Sequence, residues 1–289
     1  MKFGLIGHPI EHSLSPALFR AGYDGRYPYE LIQTDDFEEA YARFLKEYDG
    51  INVTAPFKEL AIRKADILSE ECQAIGATNL LVKTPEGIKA YNSDYLGVRL
   101  WIEEISRLAS LARNDREEAA RNDKEETGRN DREDDGRNDR EEAGRNDRMT
   151  RVLIVGLGGA GKAAKAAAES LGFDTSIINR TQYTPDIKPL KDFRQEFLKA
   201  DIIIYNLPVR INEIDELTQD DLSYCGRKVI LEANYRNPSF DKELIAKLKE
   251  HHHMLEYTGG ETWLLLQALT GYEIFTGEKP DLEKMTACL

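Results

Sequence analysis

Cysteine is scarce in this chain of 289 residues: Cys72, Cys225 and Cys288 are odd in number and far apart, which excludes a disulfide framework and fits a reducing cytoplasm. No apolar run approaches the ~20 residues of a membrane span. The N-terminal MKFGLIGHP turns into a short strand where a signal peptide would carry a longer apolar region. The expected location is therefore the cytoplasm, with no membrane partner. Positive charge is also in short supply, since 39 Lys and Arg against 52 Asp and Glu leave a net charge of −13, which argues against nucleic acid as a partner.

Large apolar side chains are missing altogether from residues 113–148, where an eight-residue unit, Arg-Asn-Asp-Arg-Glu-Glu-Ala plus one variable residue, repeats. Such a segment cannot build a core. Eight residues at about 100° each overshoot two helical turns by roughly 80°, so even as a helix the repeat keeps no single face. Pairs such as Glu117 with Arg121 contribute about 0.2–0.5 kcal/mol each, while Gly128, Gly136 and Gly144 each cost about 1 kcal/mol. The balance favours a frayed helix or disorder, read as a tolerated expansion of a connector, with an interaction arm as the rival reading.

What is present is most informative at 151–181, RVLIVGLGGAGKAAKAAAESLGFDTSIINRT. An apolar strand over 152–155 feeds Gly156, Gly158 and Gly161, whose GxGxxG spacing allows a tight turn, close approach to a pyrophosphate and close helix-to-strand packing. The helix N-terminus at Gly159 and Ala160 then faces the phosphates. The next strand, 175–178, ends in Asn179-Arg180-Thr181 where an acidic residue would meet a free ribose hydroxyl, so a 2′-phosphate, and hence NADP(H) over NAD, is expected. The same glycines also fit most of a phosphate-loop NTPase motif, but Ala163 stands where that site needs a hydroxyl on magnesium. A tight turn without a ligand is the remaining alternative.

A hydrophobic content of 41% over this length suffices for two domains. The N-terminal part alternates strands over 2–7, 29–33, 50–54, 78–83 and 88–92 with helices over 16–23, 37–48, after Pro56, 69–75 and from Asp94 toward 111. The expected fold class is α/β: a substrate domain at 1–112, the charged insert at 113–149, a Rossmann-type NADP-binding domain at 150–257, and C-terminal helices at 258–289 that return to the first domain. A cleft between the two domains is the expected small-molecule site.

Three clusters should line it. Ser13-Leu14-Ser15-Pro16 places two hydroxyls before a helix, suited to an anion such as a carboxylate, although Ser15 before Pro16 is also an ordinary N-cap. Asn52-Val53-Thr54-Ala55-Pro56-Phe57-Lys58 ends a strand in polar groups and puts an ammonium at a helix entry, where the dipole opposes its charge and favours proton donation. Asn92-Ser93-Asp94-Tyr95-Leu96-Gly97 again passes from strand to helix, and its carboxylate is either a partner for Lys58 or a plain N-cap. His251, His252 and His253 lack companion ligands at metal spacing and read as a solvated helix end; no metal is expected.

With these residues in order, together with Gly-Ala-x-Asn at 76–79, the chain resembles the shikimate dehydrogenase family, which includes quinate/shikimate dehydrogenases. The resemblance implies NADPH-dependent, reversible reduction of 3-dehydroshikimate to shikimate in aromatic amino acid biosynthesis. It implies that Lys58 and Asp94 are the catalytic pair, that Ser13 and Ser15 hold the substrate carboxylate, and that Thr54, Asn79 and Gln267 bond the ring substituents. Tyr235 closes near the substrate, and Asn179, Arg180 and Thr181 bind the 2′-phosphate. Asn206-Leu207-Pro208 replaces the family's Asn-Ala-Thr, and Gly260-Glu261-Thr262-Trp263 is bulkier than its Gly-Leu-Gly. A quinate/shikimate dehydrogenase using NAD or NADP, and a non-catalytic NADP(H) or metabolite sensor on the same fold, stay open as alternatives, and a monomer or homodimer is expected. Deletion of residues 113–148 is predicted to leave turnover intact in a steady-state assay; a large loss would make the insert part of the working enzyme.

Overall fold

The computed structural model describes residues 1–107, 149–223 and 226–289, so the octapeptide repeat, Cys225 and the predicted helix end at 108–111 lie outside the described residues. The first sheet holds β1 (Phe3–Gly7), β2 (Tyr29–Gln33), β3 (Gly50–Val53), β4 (Ile67–Leu68), β5 (Leu80–Thr84) and β6 (Gly87–Tyr91) in the order β2-β1-β3-β5-β6-β4. Only β5 runs against its neighbours; β1 pairs in parallel with β2 and β3, as β4 does with β6. β5 starts two residues later than the sequence suggests, because the Thr78 hydroxyl stands in for backbone pairing. It donates to the Tyr91 carbonyl at 2.6 Å and accepts from Leu80 N at 3.1 Å.

The second sheet is wholly parallel: β7 (Arg151–Val155), β8 (Asp174–Ile178), β9 (Ile187–Lys188), β10 (Ile202–Tyr205), β11 (Lys228–Glu232) and β12 (Leu255–Thr258), ordered β12-β11-β10-β7-β8-β9. The chain reverses its winding between β7 and β10, and ligands of doubly wound sheets sit in the crevice at the strand ends there. Its strands are apolar on both faces because helices cover both. The helix Gly159–Ser170 buries Gly161, Ala163, Ala164, Ala167 and Ala168, small residues that let it lie close on the sheet.

Two helices join the halves. Residues 93–107 are helical, and Tyr95, Val98, Trp101 and Ile102 share one apolar cluster with Val152 and Ile154 of the second sheet and Ala163 and Ala164 of the helix that covers it. The 17-residue helix Gly260–Thr276 follows β12 and runs back to the first domain, packing Tyr272 and Phe275 against Phe3 and Phe19. The Tyr272 hydroxyl donates to the Ser15 carbonyl at 3.0 Å and Tyr23 donates to the Tyr272 carbonyl at 2.8 Å. Each of these aromatic rings contributes about 1.5–3 kcal/mol by leaving water. Among the described residues no helix is long and apolar enough to cross a membrane.

At the outer edge of the second sheet, Glu196 is nearly buried and accepts from Ser176 at 2.8 Å while pairing with Lys188 at 2.6 Å and Lys199 at 3.0 Å. Burial pushes its carboxyl up, but the hydrogen bonds from Lys188, Lys199 and Ser176 outweigh that and lower it from 4.5 to about 2. Since the folded value lies below the unfolded one, its stabilisation is present above about pH 4.5 and is lost as pH falls toward about 2. Urea unfolding across that window should lose stability more steeply in the wild type than in Glu196→Gln; equal slopes would contradict this.

Candidate active site

After β3 the chain passes through Thr54 and a cis Ala55–Pro56 bond, and Phe57 N donates back to the Thr54 carbonyl at 3.0 Å. Phe57 is buried against Phe37, with ring centroids 5.4 Å apart, which anchors the short helix Lys58–Ala61. On the facing segment Asn92, not Asp94, is the N-cap: its Oδ1 accepts from Tyr95 N at 3.1 Å and its Nδ2 donates to the Ala77 carbonyl at 3.1 Å. Both residue types cap well, and the capping reading of Asp94 gives way because its neighbour holds that place. The Asp94 carboxylate is left to meet Lys58 Nζ at 2.5 Å, with the two side chains 23% and 18% exposed. That shielding weakens solvent screening of the pair. Trp263, buried, donates from Nε1 to the Asp94 carbonyl at 2.9 Å. The bulk that departs from the family's pattern is thus the brace under the acid.

Asn79 and Gln267 meet through Ser93, which has no exposure at all. Asn79 Nδ2 donates to Ser93 Oγ at 3.0 Å, Ser93 N donates to Asn79 Oδ1 at 2.7 Å, and Ser93 Oγ donates to Gln267 Oε1 at 3.0 Å. A Cβ on Gly97 would lie 2.6 Å from Gln267 N, so only glycine lets the two helices approach this closely. Beneath Asn79, Asn52 Nδ2 donates to its carbonyl at 3.3 Å and accepts at Oδ1 from the Tyr29 hydroxyl at 2.8 Å. Asn52 and Ser93 lie within the clusters that the sequence singles out but carry no assigned role there, and Tyr29 is not among the sequence candidates.

Ser13 and Ser15 come together, Oγ to Oγ, at 3.1 Å. Ser15 is not the N-cap expected from Ser-Pro: the helix Ser15–Gly22 already includes it, Leu14 occupies the cap position, and Ser15 N donates to Ser13 Oγ at 3.2 Å. Tyr235 is half-buried on the loop after β11.

Beyond β7, Gly156 adopts a φ of +89°, and a Cβ on Gly161 would lie 2.0 Å from the Gly156 carbonyl oxygen, so this turn tolerates no side chain at either place. Gly158 faces open space, and the helix start at Gly159 has no side-chain cap and no acidic residue in its first turn. Its amides are therefore available to an anion. Asn179 braces the turn, accepting from Leu157 N at 3.1 Å and donating to the Thr181 carbonyl at 2.8 Å, while Arg180 is exposed beside it. Asn206 Oδ1, after β10, is a buried acceptor with no partner among the described residues, and Leu207 packs onto Gly156. A bare glycine cradle, uncapped amides and an adjacent guanidinium fit a phosphorylated dinucleotide. The cradle also adjoins the ion pair: a Cβ on Gly159 would lie 3.9 Å from Lys58 Cδ, and Lys162 Nζ meets Glu59 at 3.0 Å across the cleft.

The histidine run differs from expectation. His252 is 3% exposed and its Nε2 lies 2.8 Å from the Gly226 carbonyl, because the helix Lys242–His251 stops one residue earlier and turns His252 inward. No cluster that could hold a metal ion occurs among the described residues.

Residues 5–81 match the model of the shikimate dehydrogenase substrate binding domain. A shikimate dehydrogenase (NADP(+)) from Pyrococcus furiosus is 28% identical over 98% of this chain and 93% of its own length. The chain is thus similar to the shikimate dehydrogenase family, in its substrate-binding part by the domain model and over nearly its whole length by this relative. A further member, from Thermotoga petrophila, is 41% identical over 34% of this chain; that match spans 39% of the relative. In fold the chain is similar to a shikimate 5-dehydrogenase from Thermus thermophilus solved with NADP(H) and shikimate, with a TM-score of 0.67 and 21% identity over 100% of this chain and 98% of that one.

Proposed function

We propose that this chain carries out the reversible, NADPH-dependent reduction of 3-dehydroshikimate to shikimate. The observation that carries the reading is the 2.5 Å Lys58–Asp94 contact lying against the first turn of the glycine-cradled helix. A bound nicotinamide would supply the hydride for the ring ketone. As negative charge grows on the ketone oxygen, Lys58 Nζ donates the proton that completes the alcohol, and in the reverse direction it takes that proton back. Asp94 holds the ammonium in place and accepts from a substrate hydroxyl.

The paired hydroxyls of Ser13 and Ser15 donate to the substrate carboxylate. Thr54, Asn79 and Gln267 address the ring hydroxyls; Asn79 spends one amide hydrogen on Ser93 and keeps the other. Tyr235 covers the substrate from the second domain. Gly156, Gly158, Gly159, Ala160 and Gly161 hold the pyrophosphate, and Asn179, Arg180 and Thr181 the 2′-phosphate, a role suited to an exposed guanidinium that can bind an oxyanion with two donors. The working unit is a monomer or homodimer in the cytoplasm.

Lys58→Ala should lower kcat by about 10²–10⁴, the usual worth of general acid catalysis, while shikimate affinity by calorimetry changes little. The opposite pattern would make Lys58 a binding residue. Arg180→Ala should raise the KM for NADPH and narrow its advantage over NADH in an absorbance assay. An unchanged cofactor preference would remove Arg180 from the phosphate site.

A further inference from the structure

Glu232, at the end of β11, is wholly buried, and its carboxylate serves a loop. It accepts from Ser239 N, from Phe240 N at 3.1 Å and from the Tyr257 hydroxyl at 2.9 Å, tying both ends of residues 233–238 to one strand terminus. Asn234 shapes the loop interior, accepting from Asn237 N at 3.2 Å and donating to the Asn237 carbonyl at 2.7 Å. The tip is Arg236, whose guanidinium lies 5.6 Å from the Tyr235 ring and donates to the His12 carbonyl of the first domain. His12 directly precedes Ser13, and Ser13 N is itself tied to the Ile10 carbonyl at 2.9 Å.

We propose that Glu232 and Arg236 make this loop a clasp between the domains, Glu232 fixing its base and Arg236 seating its tip on the loop that carries Ser13 and Ser15. Neither residue touches substrate; both are positioning residues that set the anion-binding hydroxyls and Tyr235 relative to one another. Three acceptor bonds on a buried carboxylate hold the loop rigid, so the docking of Arg236 is transmitted to the Ser13 loop and not absorbed by bending. The effect on substrate rests on the carboxylate-binding reading of Ser13 and Ser15; the clasp itself does not.

Arg236 is exposed, so Arg236→Ala should fold normally, and amide hydrogen exchange without any ligand reads the clasp alone. Exchange at Ser13 and Ser15 should quicken about tenfold in Arg236→Ala, with Arg236→Lys recovering most of the protection because it keeps a donor. Glu232→Gln, which loses one charged acceptor, should move the same amides in the same direction. Unchanged exchange at Ser13 and Ser15 in Arg236→Ala would overturn the clasp. In calorimetry and steady-state kinetics, Arg236→Ala should weaken shikimate binding and raise its KM about tenfold, with kcat and the affinity for NADP(+) within about twofold. Quickened exchange with unchanged shikimate affinity would separate the clasp from the substrate site, and no shikimate binding by the wild type would refute the reading of Ser13 and Ser15 while leaving the exchange result to judge the clasp.

Discussion

An ammonium at the start of a four-residue helix has little to hold it in one place, since its stem turns freely and the helix dipole opposes its charge. Asp94 supplies the restraint. It reaches Lys58 across two segments 36 residues apart in sequence, and it is available only because Asn92 takes over the capping of its own helix. Trp263 then steadies the Asp94 backbone from the C-terminal helix. Truncating either partner of a shielded pair leaves the other charge without compensation, a cost larger than the gain of the pair itself. Lysine, acid and indole come from three elements, so the braced pair exists only when the first domain and the returning helix are assembled.

The cleft follows from the same assembly. The doubly wound second sheet puts its glycine turn at the point where the winding reverses, and the apolar face of residues 93–107 presses that sheet against the first domain. The cofactor cradle therefore opens toward Lys58. Lys162 with Glu59 and Arg236 with His12 cross the gap at separate points. Both ion-pair partners of the first contact are well exposed, so it adds little by itself. The second is seated on a loop whose base is buried.

Much of this was legible in the residues. The apolar run into three spaced glycines specified strand, turn and helix, because no other backbone fits that pattern, and alternation of strands and helices gave the α/β class. The proline and glycine punctuation around Lys58 and Asp94 marked strand ends facing helix starts. What was not legible is contact between distant segments. Asn92, Ser93 and Asp94 are all competent caps, and only the turn geometry decides among them. Trp263 read as an intrusion because its hydrogen bond partner lies 169 residues away. Two-residue strands such as β4 and β9 have no period to detect, and the inward turn of His252 depends on where its helix stops. Glu232 and Arg236 carried no local motif.

The coupling between Lys58 and Asp94 is measured most directly by a double-mutant cycle on kcat with Lys58→Ala, Asp94→Ala and the pair combined. If one hydrogen-bonded unit delivers the proton, the double variant should lose little more than the worse single variant. Losses that multiply, as for two independent groups, would contradict it.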